Sequence, residues 1–439
     1  LEQMMRLSII ATSLLLSVAS FAQIPAPGNP YDGRILIQYA TVHVGDGTVI
    51  QNGLVEVHNG EISRVANANT SRINPSDYDS IIHADGAHLY PGFILMDSRL
   101  GLTEIGAVRA THDYDETGEF LPNVRSAPAF NTESKIIPTV RSNGVLMAQI
   151  APTGGRVSGR AAVVHFDGWS WEDATLSTDE GIYLNWPRRY RHTGWWGEPG
   201  SVKPNKKYDE EVSSVYSFFK EAQAYTETDS FSEKNLRLEA MRDVFNASAR
   251  VYVRVNAAKD ILDVVQFIRA LDIPKSALVG GAEAHLAAVP LKENKIPVVI
   301  DRVHKLPKQI DAHVHNQYTL AGKLRAEGID VAFSTSGDME AMISRNLPFQ
   351  VGTAVHHGMD YEDAIQALTL TPAQLLGVDS LYGSIEPGKR ATLFLSEGDA
   401  LDIPTNQLRF ALIEGRFIDL NNHQKMLYEK FARKNGIEP

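Results

Sequence analysis

Residues 251–300 read VYVRVNAAKDILDVVQFIRALDIPKSALVGGAEAHLAAVPLKENKIPVVI. Three short apolar runs, VYVRV, SALVG and IPVVI, are separated by two stretches with helical spacing. In AKDILDVVQFIRAL the apolar residues recur three and four apart, as one buried helix face requires. Strands that are apolar throughout are covered on both faces, which is the habit of a parallel sheet joined by helical crossovers. The same alternation extends outward to GVLMAQIAP (144–152), to LAGKLRAEGI (320–329) followed by VAFSTSG (331–337), and to YEDAIQALTL (361–370). So many strand–helix units predict a closed (β/α)8, TIM-like barrel over residues 91–378.

Either side of the barrel the rhythm changes. ILIQYATVHV (35–44) and LVEVHNGEISRVA (54–66) alternate apolar and polar residues around Gly- and Asn-containing turns, as do GSIEPGKRATLFLSEGDALD (383–402) and FALIEGRFIDL (410–420). These predict a small β-sandwich module built from N-terminal (34–90) and C-terminal (379–420) segments. HQKMLYEKFARKNG predicts a C-terminal helix within 421–439. Two stretches interrupt the barrel pattern, 111–135 and 185–232. The five tryptophans (Trp169, Trp171, Trp186, Trp195 and Trp196) flank or lie in the second. Trp169, Trp171 and Trp186 read as the core of an insertion, and the Trp195–Trp196 pair as a surface patch for a lid or a partner.

Arg6 precedes LSIIATSLLLSVASFA, an apolar run ending in small residues at Ala22. This reads as a signal peptide over 1–22, cleaved near Ala22, with a Pro- and Gly-rich linker over 23–33. The expectation is export to a periplasmic or extracellular space, with no membrane attachment after cleavage. The chain has no cysteine, which excludes disulfides and thiolate metal sites. Its net charge of −11 argues against a nucleic-acid partner.

Three segments carry a resemblance: YPGFILMDSRLG (90–101), AEGIDVAFSTSGD (326–338) and EDAIQALTLTPAQLLGVDSLYGSIEPGKRATLFL (362–395). In order and spacing they resemble the amidohydrolase superfamily, especially its imidazolonepropionase-like and secreted branches. The resemblance implies a hydrolase of carbon–nitrogen bonds that uses zinc or another divalent metal at the barrel mouth. Such a metal lowers the pKa of bound water and polarises the scissile carbonyl. The motif's His-x-His falls on Asp97-Ser98-Arg99. The fifth-strand His falls on Arg254, or on Asn256 with a register two residues later. The sixth-strand His falls on Gly280, and the last-strand Asp on Ser336. Arg has no acceptor and stays protonated, and Gly has no side chain. No metal is therefore expected at these positions.

Asp97 and Arg99 stand two apart on one strand and are expected to share a face, Arg99 pairing with Asp97 and Arg254 approaching from across the barrel. One reading is an ion pair that fills the space of the metal. The other is an anion site in which Arg99 and Arg254 hold a carboxylate or phosphate. Asp97, Arg99, Arg254, Ser336 and Asp338 are the candidate catalytic residues, and Arg99, Arg254, Asn256 and His285 the candidate ligand contacts. Asp311-Ala312-His313-Val314-His315 mimics the metal motif but lies too late in the chain and reads as a surface loop. His356 and His357 read as a helix end, His165 and Asp167 as a pair without a third partner. No Gly-x-Ser-x-Gly elbow is present. Two functions follow. One is an exported hydrolase of small amides or peptides with reduced, metal-free or lost activity. The other is a degenerate barrel that binds a ligand, or that joins a homo-oligomer or a hetero-oligomer with a related active amidohydrolase.

Overall fold

The computed structural model describes residues 26–195, 197–228, 233–307 and 312–437. The expected leader (1–22), Trp196 and Asp311 lie outside them. The chain opens with β1 (Ile35–His43), β2 (Val49–His58), β3 (Glu61–Asn67), β4 (Ser80–His83) and β5 (His88–Pro91). The barrel follows as β6 (Phe93–Ser98), β7 (Val145–Ile150), β8 (Val157–His165) and β9 (Thr175–Asn185). A hairpin of β10 (Tyr190–Trp195) and β11 (Glu198–Pro204) intervenes before β12 (Arg250–Val255), β13 (Ser276–Gly280), β14 (Val298–Ile300) and β15 (Val331–Phe333). Finally come β16 (Leu393–Ser396), β17 (Leu408–Ile413) and β18 (Arg416–Phe417).

Strands β6 to β9 and β12 to β15 form one eight-stranded sheet, and a parallel bridge between Met96 and Ser334 brings its first and last strands together. The result is a TIM-like barrel with one departure from eight βα repeats. β8 runs antiparallel to both β7 and β9. A parallel return needs a crossover of roughly a dozen residues or more, and the link at 151–156 is far shorter. Gly154 (φ 86°) and Gly155 (φ 56°) supply the backbone conformations of that tight reversal.

Outside the barrel, the helix Ala258–Ala270 buries Ile261, Val264, Val265 and Ile268, the face expected from its spacing. Inside, Ile94, Met96, Met147, Val163, Tyr183, Tyr252, Val279, Val299 and Ala332 belong to a separate apolar cluster. Leu375, Leu376 and Tyr382, which follow the last strand, belong to the same cluster. The β-module is composite, since β5 pairs with both β1 and β16. Its strands join one eight-stranded sheet, and the two separate sheets of a sandwich are not distinguished in it. The C-terminal helix spans His423–Lys434. Among the described residues no helix is long and apolar enough to cross a membrane.

Candidate active site at the barrel mouth

Asp97 sits near the end of β6 with a left-handed backbone, φ 48°. The pairing of β6 with β7 shifts register between Leu95 and Ser98, so strand alternation ends here. The Asp97 side chain is buried, 2% exposed, and its carboxylate is fully engaged. Arg254 Nη2 donates to Oδ1 at 2.5 Å and Ser336 Oγ donates to Oδ2 at 2.8 Å. The Asp97 backbone N–H donates to Gln149 Oε1 at 3.1 Å. Arg254 and Ser336, two of the positions that match metal ligands in the resemblance, thus both meet the third, Asp97.

Arg254 is held from several sides. Nη2 also donates to the Pro152 carbonyl at 3.0 Å, and Nη1 to Asn185 Oδ1 at 3.4 Å. Its guanidinium lies 4.2 Å from the centroid of the Tyr183 ring. The fifth-strand register is therefore the one that places Arg254, rather than Asn256, at the Asp97 carboxylate.

Arg99 corrects the expectation. It does not pair with Asp97, because the left-handed turn at Asp97 breaks the shared face. Arg99 Nε donates to Glu340 Oε2 at 2.9 Å, and its backbone N–H to Glu340 Oε1 at 2.7 Å. It also donates to the Gly337 carbonyl and covers the Tyr114 ring. Ser98 Oγ donates to Glu340 Oε1 at 2.8 Å. Burial raises the Glu340 pKa, against the pull of Arg99. Arg99 is consumed in fastening β6 to the segment after β15 and is not poised for an outside anion.

Below Asp97 a polar network runs through the barrel interior. Tyr183 OH donates to Gln149 Oε1 at 2.7 Å, the Gln149 amide donates to Glu180, and Tyr252 OH donates to Glu180 Oε2 at 3.0 Å. Burial pushes the Glu180 carboxyl up to about 7, outweighing these hydrogen bonds. Gln149, Glu180 and Glu340 carry no motif. Gln149 leaves one trace in the sequence, a polar residue within an apolar strand, and Glu180 and Glu340 leave none.

A cavity of about 430 Å³ opens beyond the ends of β9, β12, β13 and β14. Trp186, Pro187, Tyr190, Val202, Leu306 and Pro307 give it apolar walls. Arg188, Arg254, Asn256, Asp260, Glu283, Lys305 and Gln317 give it polar groups. Of the expected ligand contacts, Arg254 and Asn256 line it, whereas Arg99 and His285 do not. Asp338 is exposed in the turn after β15. Trp186 is buried against Phe267 and donates to Tyr208 OH at 3.2 Å. Trp171 packs on the core as expected. Trp169 instead stands 72% exposed, and Trp195 is 58% exposed.

A divalent cation does not fit this donor set. Asp97 is the one carboxylate among the matched positions, and a guanidinium already occupies its Oδ1. Gly280 ends β13 with φ 97° and offers no ligand. Among the described residues no three His, Cys, Asp or Glu side chains are grouped so as to hold a metal ion. His313 and His315 lie on an exposed turn, and His356 ends the helix Leu347–His356. Asp167 does have further partners: Arg141 at 3.0 Å and Arg416 at 3.4 Å.

A family model described as the amidohydrolase family matches residues 210–423. An imidazolonepropionase from Flavobacterium psychrophilum is 32% identical over 108 residues, which is 23% of this chain and 26% of that relative. The chain therefore matches about a quarter of that relative's length. An amidohydrolase structure from Thermotoga maritima MSB8 superposes with a TM-score of 0.74 at 24% identity, covering 88% of this chain and 99% of that one. A Xaa-Pro dipeptidase with methionine bound in its active site superposes with a TM-score of 0.55 at 15% identity, covering 88% and 100%. At these identities the structural likeness establishes the fold.

Proposed function

We propose that the chain is a carbon–nitrogen hydrolase scaffold of the amidohydrolase superfamily, which binds a small amide- or short-peptide-like ligand at its mouth without metal-dependent hydrolysis. One observation carries the reading: the Arg254 guanidinium on the Asp97 carboxylate, with Ser336 on the other oxygen. A divalent ion roughly 4 Å from a guanidinium is repelled by about 8 kcal/mol at an effective dielectric of 20. Metal and arginine therefore exclude each other at this point. The neighbouring cavity, with apolar walls and a few polar groups, has the makeup of a small-molecule site.

The test is titration of the purified protein with a panel of small amides and dipeptides, with and without chelator, alongside metal analysis and turnover assays. Saturable binding that ignores the chelator, without turnover, supports the proposal. Stoichiometric zinc at the mouth with chelator-sensitive hydrolysis overturns it.

A second reading, a subunit that partners an active relative or its own copies, is favoured by the apolar rim. Tyr190 (57% exposed), Val202 (53%) and Leu306 (73%) all border the cavity. Its test is the mass of the native assembly and the identity of chains that co-purify with it. Export rests on the apolar run after Arg6 alone, and N-terminal sequencing of the protein recovered from cell fractions tests it.

A further inference from the structure

Four histidines meet where the helix Asn316–Ala326 begins and the helix Leu347–His356 ends. His315 is the N-cap of the first helix, His356 the last residue of the second, and His357 its C-cap. The ring centroids lie 5.3 Å apart for His313 and His315, 4.9 Å for His315 and His357, and 5.4 Å for His356 and His357. We propose that His315 and His357, flanked by His313 and His356, chelate a borderline divalent transition-metal ion, at a site separate from the barrel mouth.

The spacing suits this chemistry. A metal–nitrogen bond of about 2.0–2.1 Å puts the ion roughly 3.2 Å from each ring centroid. Two rings on one ion, at angles between a right angle and the tetrahedral angle, then stand roughly 4.5 to 5.2 Å apart. The His315–His357 pair falls inside this range, and the two flanking pairs lie just beyond it. No three of these imidazoles converge as they stand. The pair therefore forms the chelate with water completing the coordination, and a rotamer change at exposed His313 or His356 adds a third nitrogen.

Local packing accounts for part of the cluster, since His313 Nδ1 accepts the His315 backbone N–H at 3.2 Å and the His315 and His357 rings lie against Tyr318. His315 makes no side-chain capping bond to the helix that it precedes. The rings of His315, His356 and His357 have no hydrogen-bond partner among the described residues, and no carboxylate pairs with any of the four. Gathering groups that repel one another once protonated has an electrostatic cost, which an ion bound to their neutral forms would remove.

The probe is Cu2+ alone, which binds imidazole most tightly of the first-row divalent ions. It is titrated into the untagged full chain at pH 7.5 and followed by calorimetry and electron paramagnetic resonance. One ion per chain, with nitrogen hyperfine structure, is expected. His315→Ala and His357→Ala should each weaken binding tenfold or more, and the double variant should abolish it. His423→Ala, on the exposed C-terminal helix, should bind as the parent does. Matched circular dichroism spectra separate loss of ligands from loss of fold. Absence of stoichiometric binding by the parent, or unchanged binding by the folded double variant, overturns the proposal.

Discussion

Arg254 reaches across the barrel mouth to place its guanidinium 2.5 Å from the carboxylate of Asp97, a residue 157 positions earlier in the chain. Asp97 is 2% exposed, so removing its partner leaves an uncompensated buried anion. Arg254→Met is expected to cost about 3 kcal/mol in urea unfolding, a value at the lower end for broken buried pairs because Arg254 is 19% exposed. Asp97→Asn combined with Arg254→Met should cost less than the sum of the single changes, since the pair is lost as a unit. Full additivity would mean that the two groups do not interact.

Arg99 makes a different prediction because its partner is Glu340. The bridge between Met96 and Ser334 joins β6 to β15, and the Arg99–Glu340 pair fastens the residues just past it. Arg99→Met should accelerate amide hydrogen exchange across 334–344 while leaving the exchange of β12 and β13 unchanged. Uniform acceleration throughout the barrel would assign Arg99 to global stability instead.

The barrel was legible because βα periodicity is local, and each strand and helix announces its own buried face. The motif resemblance singled out Asp97, Arg254 and Ser336, and the structure brings Arg254 and Ser336 onto the Asp97 carboxylate. The partner of Arg99 was not legible. Strand alternation pointed it toward Asp97, and one left-handed residue reversed that inference. The antiparallel course of β8 escaped for a similar reason, since an apolar strand reads alike in either direction. Gln149 and Glu180 escaped because their hydrogen bonds join strands distant in sequence, which no spacing rule detects.

Glu180 gives a pH prediction. Its folded pKa, about 7, is raised from the ordinary 4.5 by burial. The folded state therefore holds the proton more tightly than the unfolded state. This group's stabilising contribution is complete below pH 4.5, is lost as pH rises through about 7, and is level above. The loss amounts to about 3 kcal/mol. Glu180→Gln should flatten the stability profile of urea unfolding. Asp167, raised to about 6, and the histidines that burial holds below their ordinary value, His88, His165, His285 and His304, also titrate near this window, so the diagnostic quantity is the difference in slope between variant and parent from pH 6 to 7. An unchanged slope there would place the ionisation of Glu180 elsewhere.

Gly280 decides whether the mouth can simply be returned to a metal centre. Its φ of 97° favours glycine, and a Cβ added there would lie 2.8 Å from Asn256 Oδ1. That oxygen accepts the backbone N–H of Ala282 at 3.2 Å, so it is not free to move without loss. Gly280→Ala should destabilise the protein by about 1–3 kcal/mol through backbone strain, with steric crowding in addition. Asn256→Ala in the same chain should relieve the crowding and leave the strain, which separates the two costs in thermal unfolding. Gly280→His should fare no better than Gly280→Ala and should not create a zinc site, even beside Arg254→His, because the backbone at Gly280 is shaped for a residue without a side chain. Stoichiometric zinc binding by that double variant would show that the β13 end can re-form around a ligand.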